Sequence, residues 1–380
     1  MYTFIGATLP GILFFICTFY VKTCMSLDNV TEKGPADDYS TDTLDMDYSA
    51  YVIVCEKQLN RKFRDWFMPT IYSLICFVGL VGNLLVILTY VYFKRLKTMT
   101  DVYLLNLAGA DLLFVLTLPF WAASFLDEWM LGQFLCKAMY SIYKLSFYSG
   151  MLLLTCISVD RYFAIARAIS AHRHRTRAVY FSKVSSVVLW TLALLFSVPE
   201  MAYTGVNDNR TCTIINSGEK NVRMTIQIGQ MIAGFVLPAV VMGFCYCGIV
   251  QTLMQAQNFE KNKAIKVIFA VVAVFLLFQL PYNIAMLIAT INTISGGSKD
   301  CVSDNKLLFA IDITQSLAFT RCCLNPFLYA FIGVKFRHDL FKLLKDLGCV
   351  SQERFFQYTT CSRKRSFDTK DTETTTSFSP

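Results

Sequence analysis

The sequence predicts an all-α membrane protein: a seven-transmembrane helix bundle followed by a short amphipathic eighth helix. Three observations predict it. First, 55% of the chain is hydrophobic and only 16% is charged, against about a quarter charged in an ordinary soluble domain. Second, the apolar residues gather in repeated runs of ~20 residues or more, long enough to cross a ~30 Å hydrocarbon core at ~1.5 Å per residue. Third, basic residues recur after every second run, a topology signal and not the pooled basic face of a nucleic-acid binder.

Taken in order, residues 1–24 carry a short apolar core, Gly11-Ile12-Leu13-Phe14-Phe15-Ile16, and read as a signal peptide. Residues 25–66 form a polar, acidic arm on the extracellular side. In it Asn29-Val30-Thr31 is an N-glycosylation acceptor, as is Asn209-Arg210-Thr211 further on. Acids stand just before tyrosines at Asp37-Asp38-Tyr39 and Asp45-Met46-Asp47-Tyr48, a setting that suits sulfation of Tyr39 and Tyr48. The bundle occupies residues 67–333, with spans expected at 67–93, 101–125, 136–167, 180–203, 221–254, 263–294 and 305–332. Lys94, Arg95 and Lys97 follow the first span, and Arg173, Arg175 and Arg177 the third. Lys261 and Lys263 follow the fifth, and Lys335 and Arg337 the seventh. This bias places the N-terminus outside and the C-terminus inside. Residues 334–349 alternate apolar and basic side chains at helical spacing, as a helix lying on the inner membrane face does, and Cys349 at its end is a site for a palmitoyl chain. Residues 350–380 read as a disordered cytoplasmic tail.

Several residues carry chemistry that an apolar bundle does not need. Four cysteines lie on the oxidising side and pair as Cys136–Cys212 and Cys55–Cys301. Asp111 is an acid in the middle of an apolar run, costly unless partnered. Arg321, with Asn325 one turn later, is its best candidate partner. Asp160-Arg161-Tyr162 closes the third span at its cytoplasmic end, where the carboxylate is expected to hold the arginine. Pro119, Pro199, Pro238, Pro281 and Pro326 each interrupt a span, which gives bends and hinges. No Walker loop, His-Glu-x-x-His or nucleophile elbow is present, and His172 and His174 sit in a basic loop as solvated residues. These observations argue against an enzyme, a cofactor and a metal centre. A transporter is disfavoured by the lack of repeat symmetry.

Together, Gly82-Asn83, Asp111, Asp160-Arg161-Tyr162, Trp190, Pro238 with Tyr246, Pro281 and Asn325-Pro326-Phe327-Leu328-Tyr329 resemble the helix signatures of rhodopsin-like G-protein-coupled receptors. Thr117-Leu118-Pro119, the second outer cysteine pair and the acidic, tyrosine-bearing arm resemble chemokine receptors. The resemblance implies a two-step capture of a C-C chemokine, with ligands nineteen and twenty-one as the implied pair. Asp37, Asp38, Tyr39, Asp45, Asp47 and Tyr48 would hold its basic core. Trp121, Tyr140, Lys144, Gln227 and Gln315 would receive its N-terminus. It further implies an inhibitory-class heterotrimeric G protein engaged through Arg161, Tyr246 and Tyr329. Receptor kinases and arrestin would read Thr374, Thr375, Thr376 and Ser377, and membrane lipid would surround the bundle. Calcium signalling and chemotaxis of lymphocytes and dendritic cells follow from the same likeness. A non-signalling decoy receptor is the alternative.

Three positions depart from the family pattern. Gln279 stands where tryptophan is usual, Gln315 where many relatives carry an acid, and Arg321 where many carry histidine. In the family the acid at Asp111 helps bind a sodium ion; with Arg321 beside it, no sodium site is expected here.

Overall fold

The computed structural model describes residues 58–93, 96, 98–166, 175–208, 210–215, 220–255, 261–295, 301–332 and 334–353. The predicted signal peptide, nearly all of the acidic arm, Asn29, Asn209 and the phosphorylation sites Thr374, Thr375, Thr376 and Ser377 lie outside them. The chain divides into two compact units at Lys62 and Phe63, and the bundle belongs to the second.

The first span is helix Gln58–Tyr92, the second Met99–Leu126, the third Gly132–Ala166 and the fourth Arg175–Tyr203. The fifth runs as Lys220–Met231, a π-helical turn Ile232–Val236 and Leu237–Gln255. The sixth is Lys261–Ile294, and the seventh is Cys301–Phe319 followed by Arg321–Ile332. Among the described residues, seven helices are long and apolar enough to cross a membrane. The first helix begins ahead of the expected residue 67, because the stretch before it is polar but holds neither proline nor glycine to stop a helix.

Local chemistry explains the boundaries. Thr98 caps the second span reciprocally: Asp101 N donates to Thr98 Oγ1 at 3.1 Å, and Thr98 N donates to Asp101 Oδ2 at 2.9 Å. Buried hydroxyls find partners on their own helix, as Thr89 does on the Leu85 carbonyl (2.7 Å) and Ser186 on that of Ser182 (2.8 Å). Pro119, Pro199, Pro281 and Pro326 lie inside helices, and so does Pro69, which the sequence reading passed over. Pro238 sits just past the π turn; lacking an N–H, it frees a carbonyl one turn earlier, and the backbone widens there.

A few polar contacts fix how the spans pack. Asn83 Nδ2 donates to the Gly79 carbonyl (2.8 Å) and to the Cys322 carbonyl (3.1 Å), joining the first span to the seventh. Trp190 Nε1 donates to Asn106 Oδ1 at 3.1 Å, joining the fourth to the second. Ser146 Oγ donates to the Ala110 carbonyl at 2.6 Å, joining the third to the second. The eighth helix, Val334–Asp346, packs Phe336 against Tyr90, with ring centroids 5.8 Å apart, in a cluster with Val86 and Ala108. A short antiparallel hairpin, β1 Thr204–Val206 and β2 Cys212–Ile214, follows the fourth span in the register Thr204↔Ile214. Gln133 Oε1 accepts from Val206 N at 2.7 Å and ties the hairpin to the third span.

Candidate functional site

The third span carries the candidate site from end to end. At its start, Cys136 is bonded to Cys212 of β2, with Cα atoms 5.6 Å apart, so the hairpin is pinned to the helix as expected. The expected Cys55–Cys301 pair lies outside the described residues: Cys55 precedes them, and only the backbone of Cys301 is described.

Below the disulfide stands an aromatic wall. Trp121 lies 5.8 Å from Trp129, 6.0 Å from Tyr140 and 6.4 Å from Tyr143, centroid to centroid. Lys144 Nζ sits 5.4 Å from the Tyr140 ring and 5.3 Å from the Tyr143 ring. Lys144, expected to help receive the ligand's N-terminus, donates through its ammonium to Glu200 Oε1 at 2.9 Å and to Gln230 Oε1, and its side chain is only 4% exposed. Tyr148 OH donates to the same Glu200 oxygen at 3.4 Å. Glu200 and Gln230 were missed; the signal was an acid at the end of an apolar run, beside Pro199. Gln227 lies one turn before Gln230 and is half-buried, as is Gln315 on the seventh span. A second missed pair, Arg64 Nε with Asp312 Oδ2 at 3.1 Å, joins the first and seventh spans at this same end, with Arg64 5.2 Å from the Phe125 ring.

In the core, Asp111 is 1% exposed and its Oδ2 accepts from Asn325 Nδ2 at 2.6 Å. Asn325, not Arg321, is therefore the direct partner, and among the described residues no ion pair joins Asp111 to Arg321. Arg321 Nη1 is buried without a hydrogen-bond partner. Gln279, also buried, lines a cavity of about 20 Å³ with Arg321, Ser146 and Tyr282. The sodium ion that the resemblance implies does not fit these residues, since the orphaned buried atom is a cationic donor and not a ligand for a cation.

At the far end of the third span, Asp160 Oδ2 accepts from Thr100 Oγ1 of the second span, and Arg161 is exposed. The expected Asp160–Arg161 ion pair is not formed. Residues at i and i+1 point in different directions from a helix and do not face each other. Ser158 Oγ donates to Tyr246 OH at 3.0 Å, joining the third and fifth spans. Tyr162 packs so closely on the fifth span that a Cβ on Gly248 would stand 2.5 Å from its ring. Pro281 lies inside the helix of the sixth span, and Pro326 inside the last helix of the seventh. The side chain of Tyr329, on that helix, lies outside the described residues, whereas Cys349 is exposed just past the eighth helix.

Residues 82–329 match the family model of the 7 transmembrane receptor (rhodopsin family). C-C chemokine receptor type 7 of Mus musculus is 54% identical over 365 residues, covering 94% of this chain and 95% of the relative. The receptor of the same name from Homo sapiens is 51% identical over 382 residues, covering 99% and 100%. C-C chemokine receptor type 9 of Homo sapiens is 42% identical over 334 residues, covering 85% and 90%. With its seven spans, this is a multi-pass plasma membrane protein of a receptor class and not an enzyme. The chain belongs to the rhodopsin-like G-protein-coupled receptors, in the chemokine receptor family.

Proposed function

We infer that this receptor binds C-C chemokines outside the cell and activates an inhibitory-class heterotrimeric G protein inside it, driving calcium signalling and chemotaxis. One observation carries the reading. A single helix, Gly132–Ala166, holds the disulfide-pinned hairpin and aromatic wall at one end, and the Thr100-held Asp160 with exposed Arg161 at the other. Its two ends are more than a hydrocarbon thickness apart, so a capture event at one must act on the other through helix movement.

In this reading the N-terminus is extracellular, and Asp37, Asp38, Tyr39, Asp45, Asp47 and Tyr48 meet a basic chemokine core; opposed charge speeds encounter more than it sets final affinity. The chemokine N-terminus then enters beside Trp121 and Tyr140, with Gln227 and Gln315 at the rim. The sixth span swings at Pro281, and Arg161 turns to the G protein. Phosphorylation of Thr374, Thr375, Thr376 and Ser377 by receptor kinases adds charge for arrestin. A palmitoyl chain on Cys349 holds the eighth helix to the membrane. The ligands in this reading are C-C chemokines nineteen and twenty-one, the pair that the family resemblance implies.

The test is a panel of purified C-C chemokines on cells expressing this chain, reading binding and nucleotide exchange on the G protein together. Binding with exchange supports the reading. Binding without exchange favours a decoy receptor, and no binding by any member of the panel rejects chemokine capture.

A further inference from the structure

Asp111 is buried in the bundle core, 1% exposed, and one hydrogen bond from Asn325 does not neutralise it. A carboxylate so deep needs a compensating charge. Arg321 stands one turn before Asn325 on the same helix, directly after the break at Thr320, and its charge acts on Asp111 through space. The third span leaves room for it. Gly150 has no side chain, and a Cβ there would lie 3.3 Å from Arg321 Nη2 and 3.4 Å from Nη1. The guanidinium thus fills the volume that a side chain at position 150 would take. Its buried Nη1 makes no hydrogen bond, and the small cavity that Arg321 borders has no carboxylate in its lining. No charged group in that lining would draw the guanidinium away from the core acid, and a free cation placed here would meet a fixed one.

We propose that Arg321 is a tethered counter-cation for Asp111, seated in the space that Gly150 opens, and that it excludes the free sodium ion which the related receptors' core acid is expected to meet. The receptor's core is then indifferent to sodium. The claim rests on Asp111, Gly150 and Arg321 alone and needs no ligand, so it stands or falls apart from the chemokine reading.

The experiment is thermal unfolding of the purified, ligand-free receptor in nanodiscs, in sodium chloride against N-methyl-D-glucamine chloride at equal ionic strength. The native chain and Arg321→Lys are expected to unfold at the same midpoint in both salts. Arg321→Ser is expected to gain a sodium-specific rise of several degrees that Arg321→Ser with Asp111→Asn loses. A sodium-specific rise in the native chain that Asp111→Asn removes would overturn the proposal. So would a folded Arg321→Ser receptor as indifferent as the native one. The native comparison does not use Arg321→Ser, so it decides even where that variant does not fold.

Discussion

Replacing Glu200 with leucine is expected to damage the receptor's stability before it touches ligand recognition. The Lys144 ammonium and the Glu200 carboxylate are 2.9 Å apart, with side chains 4% and 1% exposed. Once Glu200 is removed, only Gln230 and the faces of Tyr140 and Tyr143 remain to the ammonium. Breaking a buried pair by removing one partner costs about 3–5 kcal/mol, a factor of about 10²–10⁴ in the folding equilibrium. Lys144→Met is expected to cost a similar amount, because it strands the carboxylate, whose Oε2 already lacks a partner. Lys144→Met with Glu200→Leu removes both charges and keeps the volume, and should cost less than either single change, so the coupling exceeds the larger single cost, at more than about 3 kcal/mol. Thermal unfolding of the four purified proteins, alongside the fraction reaching the cell surface, measures the cycle. Single costs that simply add in the double variant would refute the reasoning. If the cycle closes as described, lost signalling in a Lys144 variant cannot be taken as a lost ligand contact.

Other consequences follow from named contacts. Thr100→Val removes the hydroxyl that holds Asp160; a hydrogen bond to a charged group contributes about 1.5–3 kcal/mol, so basal nucleotide exchange should rise about tenfold, whereas Thr100→Ser should leave it unchanged. Cys136→Ala and Cys212→Ala should each cost about 4 kcal/mol for the loop that the bond closes, and the double variant no more than either; surface staining and unfolding midpoints check this. A Cβ at Gly234, in the π turn, would meet the Phe147 ring at 2.4 Å, so Gly234→Ala should destabilise by about 1–3 kcal/mol. Gly243→Ala on the same span meets nothing within 4 Å and should stabilise by about 0.5–1 kcal/mol, as alanine does within a helix.

The spans were legible because lipid leaves a chain few alternatives: an apolar run of ~20 residues must be helical to satisfy its backbone. The Cys136–Cys212 bond was legible from compartment alone. The polar pairs were not, because which acid meets which base depends on how each helix is rotated about its axis, and periodicity in such apolar runs barely fixes that. Glu200 read as a boundary residue beside Pro199, yet it turns inward to Lys144 on a different span. Asp160 looked paired with its neighbour Arg161, but its partner lies sixty positions away at Thr100. Asp111 posed the milder form of the same problem: Arg321 and Asn325 stand one turn apart on the seventh span, and it is Asn325 that bonds the acid. The π turn left only an indirect mark in the sequence, the proline that follows it.

The central claim is that events at the two ends of Gly132–Ala166 bias one conformational equilibrium, and reciprocity of binding tests it most directly. Chemokine affinity for the receptor in nanodiscs is measured with and without nucleotide-free inhibitory G protein, and G-protein affinity with and without chemokine. The account predicts equal tightening in both directions, about 5–150-fold, lost in Arg161→Ala while chemokine binding itself persists. Chemokine affinity that stays the same whether or not the G protein is bound would contradict it.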